Sequence, residues 1–112
     1  MNTTERPRIL SGYTYEIKTS CGNLFITCNT YEDHLFEVFV KLGKAGGCAS
    51  AFTEAIGKLV SNSLRSGIDP TEMIKSLVGI KCNHSEKEGF SCVSSIGEVI
   101  QEHLKKMNKI GE

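Results

Sequence analysis

The chain has no tryptophan, only two prolines and no surplus of charge: thirteen Lys and Arg offset thirteen Asp and Glu over 112 residues. The even balance removes the basic footprint that nucleic-acid binding needs, so nucleic acid is an unlikely partner. No apolar run approaches the roughly 20 residues that cross a bilayer, so no membrane partner is expected. The opening stretch "MNTTERPRIL" lacks the apolar segment of a secretory leader, which points to a cytoplasmic protein. There is no internal repeat and no low-complexity tract. The length is one domain's worth, and 39% hydrophobic residues give a modest core that a metal staple would help. Against this sparseness stand five cysteines. In a reducing compartment stable disulfides are disfavoured, and an odd count leaves a thiol over in any pairing scheme. Metal binding, redox chemistry or small core residues are the remaining uses.

Residues 1–10 read as an arm in which little can be buried. From Gly12 the pattern is strand-like. "YTYEIKT" alternates Tyr13, Tyr15 and Ile17 against Thr14, Glu16 and Lys18. "SCGN" turns the chain into a second strand, "LFITCN". After the polar "TYEDH", "LFEVFVKL" is a third, with Phe36, Val38 and Val40 inward and Glu37 and Lys41 outward. Short polar links between three strands predict an antiparallel meander. The period changes at "KAGG". Ala51, Phe52, Ala55, Ile56, Leu59, Val60 and Leu64 then form a helical stripe that ends near Gly67. "DPTE" opens a second, short helix, with Asp69 as N-cap, Pro70 at the first position and Glu72 closing a capping box; Met73, Ile74 and Leu77 face inward. A last helix from about Ser94 carries Ile96, Val99, Ile100, Leu104 and Met107 on one stripe. The expected architecture is α+β: a small three-stranded antiparallel sheet with about three helices packed on one face. Residues 11–106 form the single domain and 107–112 a tail.

Four cysteines sit where elements join. Cys21 lies in the first hairpin turn, Cys48 at a glycine-flanked helix start, and Cys82 and Cys92 at the two ends of the loop "IKCNHSEKEGFSC". Cys28 shares a strand face with Leu24 and Ile26 and reads as a core residue. Four thiolates match the tetrahedral demand of zinc in number. The spacing contains no C-x-x-C knuckle, so on the residues alone a metal site and scattered free thiols stand level. His84 is near enough to Cys82 to substitute as a ligand, though a solvated loop residue is the plainer reading. His34 belongs to a polar turn, and His103 falls on the polar, exposed side of the last helix. "GKAGG" is not a Walker loop, because Lys44 precedes the glycines. Anion binding by the Gly46–Gly47 backbone with Lys44, as for a nucleotide phosphate, stays open.

The strings "RPRILSGYTYEIKTSCGNLFITCN", "FVKLGKAGGCASAFTEAIGKLVSNSLRSGIDP", "SLVGIKC" and "FSCVSSI" together resemble the TSCPD domain, over about residues 6–104. That domain forms the C-terminal region of many adenosylcobalamin-dependent (class II) ribonucleotide reductases and also occurs as short stand-alone proteins. The resemblance implies a shared metal site at Cys21, Cys48, Cys82 and Cys92, where the recurrent cysteines of the family fall. Zinc is the first choice and an iron–sulfur cluster the second. The signature Thr-Ser-Cys-Pro-Asp is here "FSCVSS", with Val93 for the proline and Ser94 for the aspartate. The cysteine survives, and Ser94 can cap the last helix in place of the carboxylate. A chain without the reductase barrel or the terminal cysteine pair is not expected to reduce nucleotides alone. The implied role is an accessory or regulatory metal-binding module that binds a protein partner, such as a reductase catalytic subunit, with homo-oligomerisation left open. A redox protein and a nucleotide-sensing module are the alternatives.

Overall fold

The computed structural model describes residues 5–19, 22–43, 47–80 and 91–111. Three strands, β1 (Ser11–Thr19), β2 (Gly22–Tyr31) and β3 (His34–Leu42), are followed by α1 (Gly47–Arg65), α2 (Pro70–Leu77) and α3 (Cys92–Gly111). The strands form the antiparallel meander read from the alternation, in the order β1-β2-β3. Tyr13, Tyr15 and Ile17 pair with Cys28, Ile26 and Leu24, which pair in turn with Val38, Val40 and Leu42. These residues share one face, and α3 covers it with Ile96, Val99 and Ile100. Burying side chains of this size gains about 1.5–3 kcal/mol each.

Two features depart from plain alternation. Glu32 and Asp33, between β2 and β3, both adopt positive φ (50° and 65°), the backbone of a type I′ hairpin turn. Register then slips beside Asn29: Asn29 faces Glu37 but Thr30 faces Leu35, leaving Phe36 as the extra residue of a bulge. The slip corrects the expected face of β3. Leu35, not Phe36, joins Val38 and Val40 in the core. Phe36 is buried instead between the edge of Tyr31, 5.8 Å away, and the Arg65 guanidinium at 5.3 Å.

Helix α1 lies along the outer edge of β3, and this explains its composition. A helix can approach a strand edge closely only where its side chains are small or can serve the strand's unpaired backbone groups. A Cβ on Gly57 would come within 3.2 Å of the Val40 nitrogen. One turn on, Ser61 Oγ accepts the Val38 N–H (2.9 Å) and donates to the Val38 carbonyl (2.8 Å). The expected apolar stripe is thereby corrected. Thr53, Gly57, Val60 and Ser61 are the buried line, while Phe52 and Leu59 face solvent.

Helix α2 starts as expected at its N-cap, Asp69, and at Pro70. The Asp69 side chain accepts the Thr71 N–H at 3.0 Å, and that bond is the main reason its carboxyl sits below its ordinary value. Glu72 Oε2 lies 3.7 Å from Lys75 Nζ. In α3, Ser91 rather than Ser94 is the cap: its Oγ accepts the Ser94 N–H at 2.9 Å. Ser94 is already inside the helix, where it accepts the Gly79 N–H (2.9 Å) and donates to Glu98 (3.0 Å), tying α3 to the end of α2. Among the described residues no helix is long and apolar enough to cross a membrane.

Candidate metal centre

Cys21 and Cys82 lie outside the described residues, as do Lys44, Gly46 and His84. The other two candidate ligands open helices: Cys48 is exposed in the first turn of α1, and Cys92 is buried in the first turn of α3. No group of three or more potential metal ligands occurs among the described residues.

The backbone around the four positions is informative. Gly22, next to Cys21, has φ +132° and stands so close to Gly43 that a Cβ would lie 3.3 Å from its carbonyl oxygen. The Gly43 N–H donates to the Asn23 carbonyl at 2.8 Å. The start of β2, at the residue after Cys21, is therefore held against Gly43, which lies five residues before Cys48 in the sequence. A second contact lies between described neighbours of the other two. The Ser91 hydroxyl, beside Cys92, donates to the carbonyl of Ile80, two residues before Cys82. Cys92 also belongs to the same buried cluster as Leu24 and Leu42, the core residues flanking the first contact. Cys28 is the core residue its alternation predicts: fully buried, with burial raising its thiol to about 12, which makes it inert as a nucleophile.

The family model of the TSCPD domain matches residues 1–104. The chain belongs to the TSCPD domain family. It is thereby related to the C-terminal domain of class II ribonucleotide reductases. No curated protein and no solved structure matches it.

Two polar centres of this TSCPD chain escaped the sequence reading. His103, expected on the exposed side of α3, is 1% exposed. Its Nδ1 meets the Tyr15 hydroxyl at 2.9 Å and its Nε2 the Thr30 hydroxyl at 3.1 Å, so one ring bridges β1 and β2 from beneath. Burial first, and then the charge of Lys106, hold its pKa below the ordinary 6.5. Tyr15 is pushed up to about 12, mainly by burial and then by its neighbours Cys28, Glu102 and Tyr13. A signal did exist, since His103 falls seven residues after Ile96, on the same helical stripe.

Glu37, expected to face solvent, is fully buried on the sheet face opposite α3. Arg6 approaches both its oxygens (2.9 and 3.0 Å), Arg65 donates at 2.8 Å and Asn29 at 2.7 Å. Burial pushes this carboxyl up, but the bonds from Arg6, Asn29 and Arg65 outweigh it and hold the group below its ordinary value. Arg6 comes from the segment read as an arm, which this fork ties to the sheet. Both centres are built as closed hydrogen-bond networks rather than open sites, although in the second the buried Arg65 Nε has no hydrogen-bond partner.

Proposed function

We propose that this TSCPD chain is a non-catalytic accessory module in which Cys21, Cys48, Cys82 and Cys92 hold one zinc ion, and that the stapled domain acts by binding a protein partner. By its relation to the reductases, the partner is a ribonucleotide reductase catalytic subunit. One observation supports the reading: Gly22, next to Cys21, packs against Gly43, five residues before Cys48, and the Ser91 hydroxyl, next to Cys92, bonds the carbonyl of Ile80, two residues before Cys82. In this reading the four thiolates would act together as the ligands of a structural zinc site, with no C-x-x-C knuckle needed. The zinc would supply folding energy to a small core, locking the turn of the sheet to two helices. The donor set is all sulfur and leaves no position open for chemistry. This fits a structural role for the metal.

The test is elemental analysis of protein purified anaerobically without added metal, beside its ultraviolet–visible spectrum. About one zinc per chain and no visible band is the expected result. Cys48→Ser and Cys92→Ser should each lose the metal, whereas Cys28→Ala should keep it. Iron with sulfide and a brown colour would replace zinc by a cluster and turn the reading to electron transfer. Protein without metal would end the ligand assignment. The partner is tested separately, by sedimentation of the zinc-loaded chain with a purified class II reductase catalytic subunit.

A further inference from the structure

The outward side of α1 carries what a solvated helix face usually lacks. Phe52 is 66% exposed and Leu59 65%, two turns apart on the same flank. Beside Leu59 an apolar groove of about 380 Å³ runs between α1 and α2, lined by Ile56, Leu59, Ile68, Met73 and Leu77. A protruding aromatic ring and a groove thus share one face, about 10 Å apart at 1.5 Å per residue. Clustered exposed apolar groups of this kind mark an interaction surface.

The charges on α1 select the occupant. Glu54 and Lys58, both largely exposed, form the other flank, 3.6 Å apart within one chain. Exposed Ala51 and Ala55 lie between the two flanks and leave room for another backbone. The apolar pair Phe52 and Leu59 is centred between Ala55 and Ile56, and the charged pair is centred on Ile56. Both pairs therefore have nearly the same midpoint. When two copies of a helix pair antiparallel about a twofold axis, like flanks meet. An axis at that shared midpoint sets Phe52 of each copy against Leu59 of the other, and Glu54 of each beside Lys58 of the other. Every contact then occurs twice, as an isologous interface requires.

We infer that α1 pairs antiparallel with α1 of a second copy of this chain about a twofold axis near Ala55 and Ile56, each Phe52 entering the α1–α2 groove of the other copy. A partner of different sequence would not require knob, groove and opposite charges to be balanced about one point of one helix. The pairing uses none of the cysteines and stands apart from the metal reading.

The test is sedimentation equilibrium of the full chain, as purified, from micromolar to millimolar concentration at low salt. A concentration-dependent dimer is expected. Phe52→Glu, at an exposed position that leaves folding intact, should weaken it by more than about tenfold, the range of a buried aromatic anchor. Glu54→Lys should weaken it several-fold, and Glu54→Lys with Lys58→Glu should restore it, because the exchanged charges again meet opposite signs. Circular dichroism checks that each variant is folded. A monomer at every concentration would overturn the inference and leave the face to a different protein. A dimer indifferent to Phe52→Glu would overturn it as well, placing the contact elsewhere, such as the free edge of β1. Failure of the charge exchange to restore pairing would overturn the antiparallel register.

Discussion

Replacing Ser61 by alanine should be among the most damaging single changes to this protein, although it deletes one oxygen atom. That hydroxyl is 2.9 Å from the Val38 nitrogen and 2.8 Å from the Val38 oxygen, and the site is buried. Alanine leaves an N–H and a C=O of β3 facing a helix that water does not reach. Each unsatisfied buried group costs about 1–3 kcal/mol. Some relaxation of α1 recovers part of this, so a loss of about 2–4 kcal/mol is expected for the pair. The total stability of a domain is about 5–15 kcal/mol. With a urea dependence of about 1–3 kcal/mol per molar, the midpoint should fall by about 1–2 M. Far-ultraviolet circular dichroism reads the transition, because the chain has no tryptophan. Amide exchange reads the cause: Val38 should lose protection in the variant while Ile26, in the middle of the sheet, keeps it. A midpoint shift below about 0.3 M with Val38 still protected would refute the claim that this hydroxyl closes the strand edge.

Stability should also fall on acidification through the neutral range. The pKa of His103 is depressed in the fold, so the unfolded chain binds the proton more readily; the contribution is fully present above the ordinary 6.5 and is lost as pH falls toward the folded value. Urea midpoints between neutral pH and about pH 5 should show this slope, and His103→Gln should flatten it. Glu37, also held below its ordinary value of 4.5, contributes a second loss confined to more acid solution, and Arg65→Met should diminish it. Glu32→Asn with Asp33→Gly should stabilise the protein by about 1 kcal/mol, read as a higher melting temperature, since both positions hold positive φ. Gly57→Ala should destabilise it by about 1–3 kcal/mol in the same urea assay, because its Cβ would meet Val40 Cγ2 at 3.1 Å and the Val40 nitrogen at 3.2 Å.

The strands were legible because alternation survives on one face of β1 and β2. In β3 the bulge hid, since an extra Phe36 inside "LFEVFVKL" looks like one more strand residue. Helix α1 was legible as a helix and misleading as a surface. The stripe rule assumes that a helix buries its large apolar groups, and α1 buries Thr53, Gly57 and Ser61 against a strand edge instead. Glu37 gave no local sign of burial, because its arginines come from positions 31 and 28 residues away. His103 was misplaced by residue type, although its spacing from Ile96 pointed inward. Among the cysteines, Cys28 was separable by strand position, whereas the grouping of Cys21, Cys48, Cys82 and Cys92 rests on the family resemblance, because no spacing rule links them.

Ser61 and Gly57 also set the valency of the sheet. With α1 seated on β3, the outer edge of β1 is the one strand edge left open among the described residues, and its outward Glu16 and Lys18 discourage partners there. Through strand edges alone, a chain with one open edge can pair off but cannot polymerise. Peeling α1 away adds a second edge, and the same molecule becomes a link that can be joined on both sides. Chain growth into aggregates should therefore begin when α1 detaches, well before the sheet itself melts, and a variant that loosens this one helix should aggregate at temperatures where its strands are still intact.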